Sequence, residues 1–299
     1  MLSQVHDIPT CNLCGSSVFK VVFREHVAQI HQIVKCQICG LMYAFPVNGR
    51  NSDSYVDFGQ SRPLNSDDPS VLRSVDRLSD YRRIPVELQR HMSAKGRILD
   101  VGCYIGTFLH YLQTHGWDVT GVELDPSAVR FARERFGLEI LNCPLESLDN
   151  AKYCQGFDVV TMLHVIEHLD DPSSTLSVAL RLLKPRGVFV IETPTYDSLT
   201  FKLLGRRERS ISCNGHIFFY TSETLWKLLE KTGFEIIEWR KVGRTLSLGR
   251  LIWNLGVISK NITIQQVVER VISKYTLDRN GLRIYLNTRD MIRLYCRPK

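Results

Sequence analysis

The sequence has 299 residues, of which 44% are hydrophobic and 23% are charged. This ordinary globular composition excludes collagen, a long coiled coil and extended disorder as the main class of the protein. The formal net charge is +7, but 12 of the 38 basic and only 3 of the 31 acidic residues lie in residues 241–299. Because the rest of the sequence is close to neutral, we expect no stable complex with nucleic acid.

Cysteines are concentrated near the start of the sequence. Four of the nine form two CxxC pairs with 21 residues between them, namely Cys11, Cys14, Cys36 and Cys39. This spacing predicts a tetrahedral Zn²⁺ site with Zn–S distances of about 2.3 Å, and the zinc would be structural because all four positions are filled. Since the other cysteines have no partnered motif and no signal peptide precedes them, the sequence predicts a cytoplasmic protein.

Composition and motifs divide the chain into four regions. We expect a zinc-binding module over residues 1–48 and a linker or helical lid over 49–93. A core over 94–243 and a basic helical insertion with a final strand over 244–299 follow.

Apolar strands alternate with helices throughout the predicted core. The six strands are predicted from the segments ILDVGC, DVTGVEL, LEILNCPL, FDVVTMLHV, VFVIETP and FEIIEWRKV. The helices are predicted from TFLHYLQTHG, PSAVRFARERFG, SSTLSVALRLLKPRG and SETLWKLLEKTG. This order predicts right-handed βαβ units and therefore an α/β fold with a doubly wound, parallel sheet.

The alternation stops at Gly243. We predict an insertion of one or two amphipathic helices over residues 244–281, because the apolar residues of TIQQVVERVISKY share one helical face. This segment could pack on the core as a lid, contact a partner subunit or lie on a membrane surface. LRIYL and MIRLYC, separated by NTRD, are predicted strands, and the second would pair at or near the sheet edge.

A glycine motif joins the first core strand to its helix. Asp100 and Gly102 end the strand, and Gly106 opens the helix. Glycine allows close approach of the backbone to a ligand, and a helix N-terminus offers free N–H groups. Glu123 ends the next strand, 21 residues after Gly102. An acidic residue there can accept hydrogen bonds from both hydroxyls of a ribose, which NAD would also satisfy, but the G-x-G-x-x-G fingerprint of NAD enzymes is absent.

The segments ILDVGCYIGTFL, GVELDP, FDVVTMLHVIEHLDDP, LLKPRGVFVIETP and GHIFFYTSETL, in this order, resemble the class I S-adenosylmethionine-dependent methyltransferases. The branch with an N-terminal zinc ribbon, which includes sugar C-methyltransferases, is the most similar. The resemblance implies a Rossmann-like sheet of seven strands whose last strand is antiparallel. Tyr104 departs from the pattern, because the widest form of the motif has a glycine there.

The resemblance also implies which residues hold S-adenosylmethionine. The methionine part would lie against Asp100, Gly102, Cys103 and Gly106. The ribose would bind Glu123, the adenine would lie beside Leu124 with Leu145 helping to cover it, and Leu163 to His164 would line the floor of the site.

Three histidines and one glutamate are the candidate catalytic residues. His164, Glu167 and His168 follow the fourth core strand at the carboxyl end of the sheet, and His216 lies on a later loop. His164 or His216 could be a general base. Alternatively, Glu167, His168 and His216 could bind a divalent ion, a pattern similar to ubiquinone-pathway O-methyltransferases and enzymes that methylate RNA 3′ ends. Those enzymes have an acidic residue at the position of His164. In a third hypothesis, Glu167 and His168 only hold the loop by hydrogen bonds.

The resemblance implies a methyltransferase that acts on a small-molecule acceptor, such as a nucleotide-linked sugar. An RNA methyltransferase is the first alternative, but it would need a basic, aromatic surface around the crevice, whereas the basic excess lies in the tail. A non-catalytic protein that uses its zinc ribbon to bind a partner is the second. The presence of Asp100, Gly102, Gly106 and Glu123 argues against it.

Overall fold

The computed structural model describes residues 10–27, 30–45, 64–65, 68–148, 151–208, 210–211, 215–247, 267 and 283–299. Residues 49–63 and 66–67 of the predicted linker lie outside the described residues. So do residues 248–266 and 268–282, which make up most of the predicted helical insertion and its expected docking contact at 244–281. Their structure is therefore not part of the description that follows.

Eleven strands and seven helices make up the described part of the chain. The strands are β1 (Phe19–Val27), β2 (Ile30–Cys36), β3 (Met42–Ala44), β4 (Arg97–Val101), β5 (Asp118–Val122), β6 (Ile140–Leu141), β7 (Phe157–Leu163), β8 (Leu183–Pro194), β9 (Phe218–Phe219), β10 (Phe234–Ser247) and β11 (Arg283–Pro298). The helices are α1 (Pro69–Tyr81), α2 (Ile84–Leu88), α3 (Thr107–Thr114), α4 (Pro126–Phe136), α5 (Pro172–Leu182), α6 (Leu199–Leu204) and α7 (Ser222–Lys231).

The main sheet has seven strands in the order β10-β11-β8-β7-β4-β5-β6. The neighbours β8, β7, β4, β5 and β6 pair in parallel, whereas β11 is antiparallel to both β8 and β10. The α/β class, the seven strands and the antiparallel last strand are therefore confirmed. All but one residue of β7 are buried, as expected for a central parallel strand covered by helices on both faces.

The residues at the two ends of helix α4 explain where it begins and where it ends. Asp125 caps the helix by accepting a hydrogen bond from the backbone N–H of Ser127 at 2.8 Å. Pro126 occupies the first turn, where a missing N–H costs nothing. Gly137 ends the helix with φ of 63°, a left-handed conformation that glycine adopts easily.

Two predicted elements are longer than the observed ones. The helix predicted to reach Pro185 and Gly187 ends at Leu182, because β8 begins at Leu183, where it pairs with Phe157. The third predicted strand is reduced to β6, and a 3₁₀ turn over Leu145–Leu148 replaces its end. Pro144, which cannot donate to a ladder, stands between them.

The two C-terminal strands differ most from expectation. β10 continues to Ser247, which pairs with Arg283, so residues 244–247 are strand and not the start of a helical insertion. The two predicted strands LRIYL and MIRLYC are one strand, β11, and it lies inside the sheet between β8 and β10. The NTRD segment is a bulge opposite Gly243, since pairing passes from Val242 with Met291 directly to Arg244 with Leu286.

The N-terminal region forms a second sheet in the order β1-β2-β3-β9. β9 comes from the core, from the loop that carries His216, and its two residues pair with Met42 and Tyr43 of β3. Buried residues of both regions belong to one hydrophobic cluster, which includes Cys11, Cys36 and Phe219. The N-terminal region is therefore continuous with the core beside the histidine loop.

Candidate active site

The loop between β4 and α3 has three residues with positive φ. Gly102 and Gly106 have φ of 69° and 72°, and Tyr104 has φ of 51°. A Cβ at Gly102 would lie 2.5 Å from Cγ2 of Val165, and one at Gly106 would lie 2.5 Å from Cδ1 of Leu138. Both glycines are thus required by conformation and by space, whereas Tyr104 adopts a left-handed conformation with a side chain.

The Glu123 carboxylate is engaged by backbone amides. Its Oε2 accepts from the N–H of Tyr104 at 2.8 Å, and its Oε1 accepts from Leu124 at 2.7 Å and Asp125 at 2.9 Å. A carboxylate has about four acceptor positions, so one position on Oε2 is open to a ribose hydroxyl. The three amides thus leave room for one ribose hydroxyl on Glu123, where the sequence predicts two.

Asp100 lies buried at the end of β4, where its Oδ1 accepts a hydrogen bond from Oγ1 of Thr161 at 2.6 Å. Burial raises the pKa of Asp100 to about 7, and the nearby charge of Glu123 acts in the same direction. Burial likewise raises the pKa of Glu123. Two carboxyl groups at this edge, beside the N-terminus of α3, suit a ligand that brings positive charge and hydroxyl donors.

The remaining candidate cofactor residues lie around the same edge. Cys103 is buried, and its Sγ lies so close to Gly121 that a Cβ on this glycine would be only 2.6 Å away. Leu145 and Leu163 are buried, while Leu124 remains 37% exposed. Of these residues, Leu124 has the side chain most available to a planar ring.

Three of the four candidate catalytic side chains converge. One ligand atom from each of Glu167, His168 and His216 lies within 4.8 Å of the other two. The rings of His168 and His216 meet edge to face with centroids 4.7 Å apart. The two chain segments are also joined by the N–H of Ile217, which donates to the carbonyl of Glu167 at 2.8 Å.

Hydrogen bonds orient the side chains of this cluster. Nδ1 of His168 lies 3.0 Å from the carbonyl oxygen of Gly215 and donates to it, so Nε2 is the ring nitrogen that a metal ion would bind. Oε2 of Glu167 accepts from Thr193 at 2.8 Å, whereas its buried Oε1 lies 3.5 Å from Nδ1 of His164, which is longer than a good hydrogen bond. A buried carboxylate oxygen without a short hydrogen bond, close to two imidazoles, is an arrangement that can bind a cation.

The ionisation of the cluster supports the same interpretation. Burial opposes the charge of Glu167, but the imidazoles of His164, His168 and His216 outweigh it and hold the pKa of Glu167 well below its usual range. Burial lowers the pKa of His216 to about 4, against the opposing effect of Glu167. At neutral pH the cluster therefore offers one carboxylate and a neutral His216 imidazole.

His164 faces a second carboxylate and not the open part of the cluster. Its Nδ1 lies 3.5 Å from Oε1 of Glu167, and its Nε2 lies 3.3 Å from Oε1 of Glu192. Glu192 is in turn bound through Oε2 to Arg293, which is only 2% exposed, at 2.7 Å. Burial would raise the pKa of Glu192, but Arg293 and His164 lower it to about 2. His164 thus bridges two buried carboxylates.

Sequence reasoning missed Glu192 and Arg293. Each is a charged residue inside an apolar strand, in VFVIETP and MIRLYC, and that contrast is the signal that could have revealed them. Asn142 was missed as well. Its amide donates to the carbonyls of Glu123 and Leu124 at 2.8 and 3.0 Å, and so fixes the end of β5.

The four N-terminal cysteines also converge. Their Sγ atoms lie within 4.8 Å of one another, with 3.4 Å between Cys11 and Cys39 and 3.5 Å between Cys14 and Cys36. A tetrahedral site with Zn–S bonds of about 2.3 Å has sulfur separations of about 3.8 Å, so the cluster fits such an ion closely. Backbone N–H groups of Cys39 and Ile38 help lower the pKa of Cys36 to about 7, against the effect of burial.

A family model for methyltransferase domains matches residues 72–238, which include the glycine loop, Glu123 and all four candidate catalytic residues. The chain belongs to this methyltransferase family. It is a class I S-adenosylmethionine-dependent methyltransferase, as the resemblance of its motifs predicts. The four-cysteine cluster lies outside the matched residues.

Curated relatives of this methyltransferase include enzymes named ubiquinone biosynthesis O-methyltransferase. The one from Cereibacter sphaeroides is 27% identical over 227 residues, which cover 71% of this chain and 88% of that protein. The one from Xanthomonas oryzae pv. oryzae is 31% identical over 150 residues, which cover 48% of this chain and 57% of that protein.

Solved structures share the fold of the methyltransferase at low identity. A Pyrococcus horikoshii protein covers 81% of this chain and 99% of its own, with 18% identity and a TM-score of 0.51. A Bacillus halodurans protein covers 74% and 99%, with 16% identity and a TM-score of 0.50. In addition, none of the helices described for this chain combines the length and the apolar character that crossing a membrane requires.

Proposed function

We propose that this methyltransferase transfers a methyl group to a hydroxyl oxygen of a small-molecule acceptor, and that Glu167, His168 and His216 bind a divalent cation that orients this acceptor. The convergence of these three side chains around the buried Oε1 of Glu167, which makes no short hydrogen bond among the described residues, carries the proposal. The printed name of the curated relatives supports oxygen as the methylated atom. A nucleotide-linked sugar is one acceptor of this class.

Residues at the other end of the site hold the cofactor in this proposal. S-adenosylmethionine, when bound, supplies an electrophilic methyl group on a sulfonium. Glu123 accepts a ribose hydroxyl at its open Oε2 position, and Asp100 lies beside the N-terminus of α3. Leu124 and Leu145 flank the adenine. The buried walls around Leu163 and Ile166 exclude water from the crevice.

The cation would act on the acceptor's hydroxyl. Imidazole and carboxylate donors suit divalent metals such as Mn²⁺, Co²⁺ and Zn²⁺. A bound cation lowers the pKa of a coordinated hydroxyl and fixes its direction, so the oxygen is presented as a better nucleophile. Because three protein ligands leave other coordination positions open, the acceptor can reach the ion directly.

Mn²⁺ binding tests the cation. We expect electron paramagnetic resonance to show one saturable Mn²⁺ per chain in the presence of S-adenosylhomocysteine. The affinity should fall at least 10-fold in Glu167→Gln and His216→Gln, since a lost ligand usually costs that much or more. His115→Gln, on the far side of α3, is the matched control and should bind Mn²⁺ normally.

The base hypothesis for His216 predicts a different result. Wild type would then bind no Mn²⁺, while His216→Gln would lower turnover by roughly 100-fold or more and leave cofactor affinity intact. Full turnover in both Glu167→Gln and His216→Gln would contradict the cation hypothesis as well as the base hypothesis. The O-methyl product itself would be identified by mass spectrometry and by its carbon NMR shift, and a C-methyl product would refute the proposed acceptor atom.

We further propose that the four-cysteine cluster binds one structural zinc ion. Its support is the sulfur geometry and the paired CxxC spacing. Metal analysis of the purified protein should give one zinc per chain, and Cys36→Ser should lose it together with the cooperative unfolding of the N-terminal sheet. Full zinc content in that variant would refute the site.

A further inference from the structure

Each CxxC turn of the four-cysteine cluster is attached to a segment that carries active-site residues. In the first turn, residues 11–14, Nδ2 of Asn12 donates to Oδ1 of Asp171 at 3.0 Å, and Oγ of Ser173 donates to Oδ1 of Asn12 at 2.9 Å. Asp171 caps helix α5 and follows His168 by three residues. The first turn is therefore hydrogen-bonded to the segment that carries Glu167 and His168.

The second turn, residues 36–39, is attached to the other segment. Gly40 and Leu41 lead from it directly into β3. The backbone N–H of Ala44 at the end of β3 donates to the carbonyl of Ile217 at 2.8 Å, and Met42 pairs with Phe219. Ile217 adjoins His216, so β3 extends the sheet up to the residue next to this histidine.

The sulfur atoms link the two turns crosswise. The short separations join Cys11 to Cys39 and Cys14 to Cys36, so each pair takes one cysteine from each turn. An ion held by all four thiolates fixes the spacing of the two turns. Through Asn12 and Ala44 it also limits how far the segment of Glu167 and His168 can move from that of His216.

We infer that the four-cysteine site is a positioning element of the active site: its metal clamps the two segments so that Glu167, His168 and His216 stay within ligand distance of one another. This inference rests on the proposed role of that triad. It makes the zinc necessary for the acceptor side of the site and dispensable for the cofactor side. The cofactor loop is held by its own bonds, such as those from Gly102 to Val122 and from Tyr104 to Glu123.

Two variants that keep all four cysteines test the clamp. Ala44→Pro removes the N–H that donates to Ile217, and Ala44→Ser retains it. Asn12→Ala removes the bonds to Asp171 and Ser173. Lys231→Met is the matched control, because Nζ of Lys231 donates to the carbonyl of Leu13 at 2.7 Å and so joins the same module to α7, away from the triad.

We expect Ala44→Pro and Asn12→Ala to keep one zinc and to bind S-adenosylhomocysteine within twofold of wild type by calorimetry. Both should bind Mn²⁺ at least 10-fold more weakly, lower kcat at least 10-fold, and shift the ring NMR signals of His216, assigned with His216→Gln. Ala44→Ser and Lys231→Met should match wild type in all five measurements. Chelation of the zinc from wild type should reproduce the loss of Mn²⁺ affinity with cofactor affinity retained.

Unchanged kcat and unchanged His216 signals in both zinc-loaded variants would overturn the clamp. If wild type binds no Mn²⁺, the proposed cation is wrong, and the clamp is then decided by kcat and by the His216 signals alone. A loss of cofactor affinity equal to the loss of kcat would also overturn it, because the module would then support the whole fold and not the triad.

Discussion

The two ends of the active site are built in different ways. The proposed cofactor end, at β4 and β5, contains Asp100, Gly102 and Glu123. Glu123 accepts hydrogen bonds from Tyr104 and Leu124, 19 and 1 residues away, and Asp100 accepts one from Thr161, 61 residues away. The acceptor end, at β7 and β8, consists of Glu167, His168 and His216 with the residues that hold them. Its supports come from distant parts of the chain, as Arg293 binds Glu192 across 101 residues.

The first end depends mainly on backbone conformation, whereas the second depends on tertiary contacts. At the cofactor end, positive φ at two glycines and a free helix N-terminus suffice to shape the loop. At the acceptor end, buried charges must be neutralised by partners that the fold brings in, because an unpaired buried charge is costly. The cofactor end should therefore tolerate changes elsewhere in the chain, while the acceptor end should not.

Arg293→Met should give the largest effect. It removes the guanidinium that binds Glu192 and one of the two that bind Glu87, since Arg240 also contacts Glu87 at 2.8 Å. Breaking such a buried pair typically costs about 3–5 kcal/mol of the free energy of unfolding. Urea denaturation measures this loss. Lys184→Met, which removes the half-exposed pair with Asp158, is the control and should cost less than about 1 kcal/mol. Equal losses in the two variants would show that the buried network does not depend on Arg293.

Glu123→Ala should come next and should act on the cofactor. The loss of its charge-assisted hydrogen bonds, including the one that holds Tyr104, should weaken S-adenosylhomocysteine binding by about 2–4 kcal/mol, or roughly 30- to 1,000-fold. Calorimetry measures the change, and the exposed Glu134→Ala on α4 is the control. Unchanged affinity would mean that Glu123 serves only the loop and not the ribose.

Gly102→Ala should affect both ends at once. Its Cβ would press on Val165, which lies between His164 and Ile166, so Mn²⁺ and cofactor binding should both weaken. We expect about 1–2 kcal/mol from the left-handed conformation and more from the displaced Val165. Gly137→Ala also has positive φ but meets no atom within 4 Å, so it isolates the conformational cost. If the two variants lose the same stability, the contact with Val165 is unimportant.

The pH dependence of stability should differ in sign between the ends, with slopes of at most about 1.4 kcal/mol per pH unit from one group. Burial raises the pKa of Asp100 from 3.8 to about 7, so its favourable contribution is complete below pH 3.8 and is lost as the pH rises through 7. Arg293 and His164 outweigh burial and lower the pKa of Glu192 from 4.5 to about 2, so its contribution is present above pH 4.5 and is lost as the pH falls.

Urea unfolding of the cofactor-free protein between pH 3 and 8 measures both slopes. Relative to wild type, Asp100→Asn should gain stability as the pH rises from 4 to 7. Glu192→Gln should lose the decline that wild type shows below pH 4.5. Parallel curves for wild type and Asp100→Asn would mean that Asp100 is solvated in the free protein.

The sequence predicts the sheet and the glycine loop at the proposed cofactor end because their signals are local. Alternating apolar strands and helices gave the parallel sheet, and the glycines with Glu123 marked its carboxyl edge. The triad of Glu167, His168 and His216 was also named, but only the structure shows that the three side chains meet.

The partners of the acceptor end could not be predicted, because they depend on which distant strands become neighbours. No spacing rule connects Glu192 with Arg293 or Ala44 with Ile217. The bulge of β11 was read as a break between two strands, since Asn and Asp are turn residues in a single sequence. Tertiary pairing with β10 overrode that preference.

The position of β11 between β8 and β10 also determines when the sheet can be completed. As the chain leaves the ribosome, Glu192 can pair with Arg293 only after 101 further residues, and Glu87 gains Arg293 beside Arg240 only after 206. Until then β8 has an unpaired edge, although β4 to β7 can already pair. Pairing of β11 with β8 is therefore the step that completes both the sheet and this buried charge network.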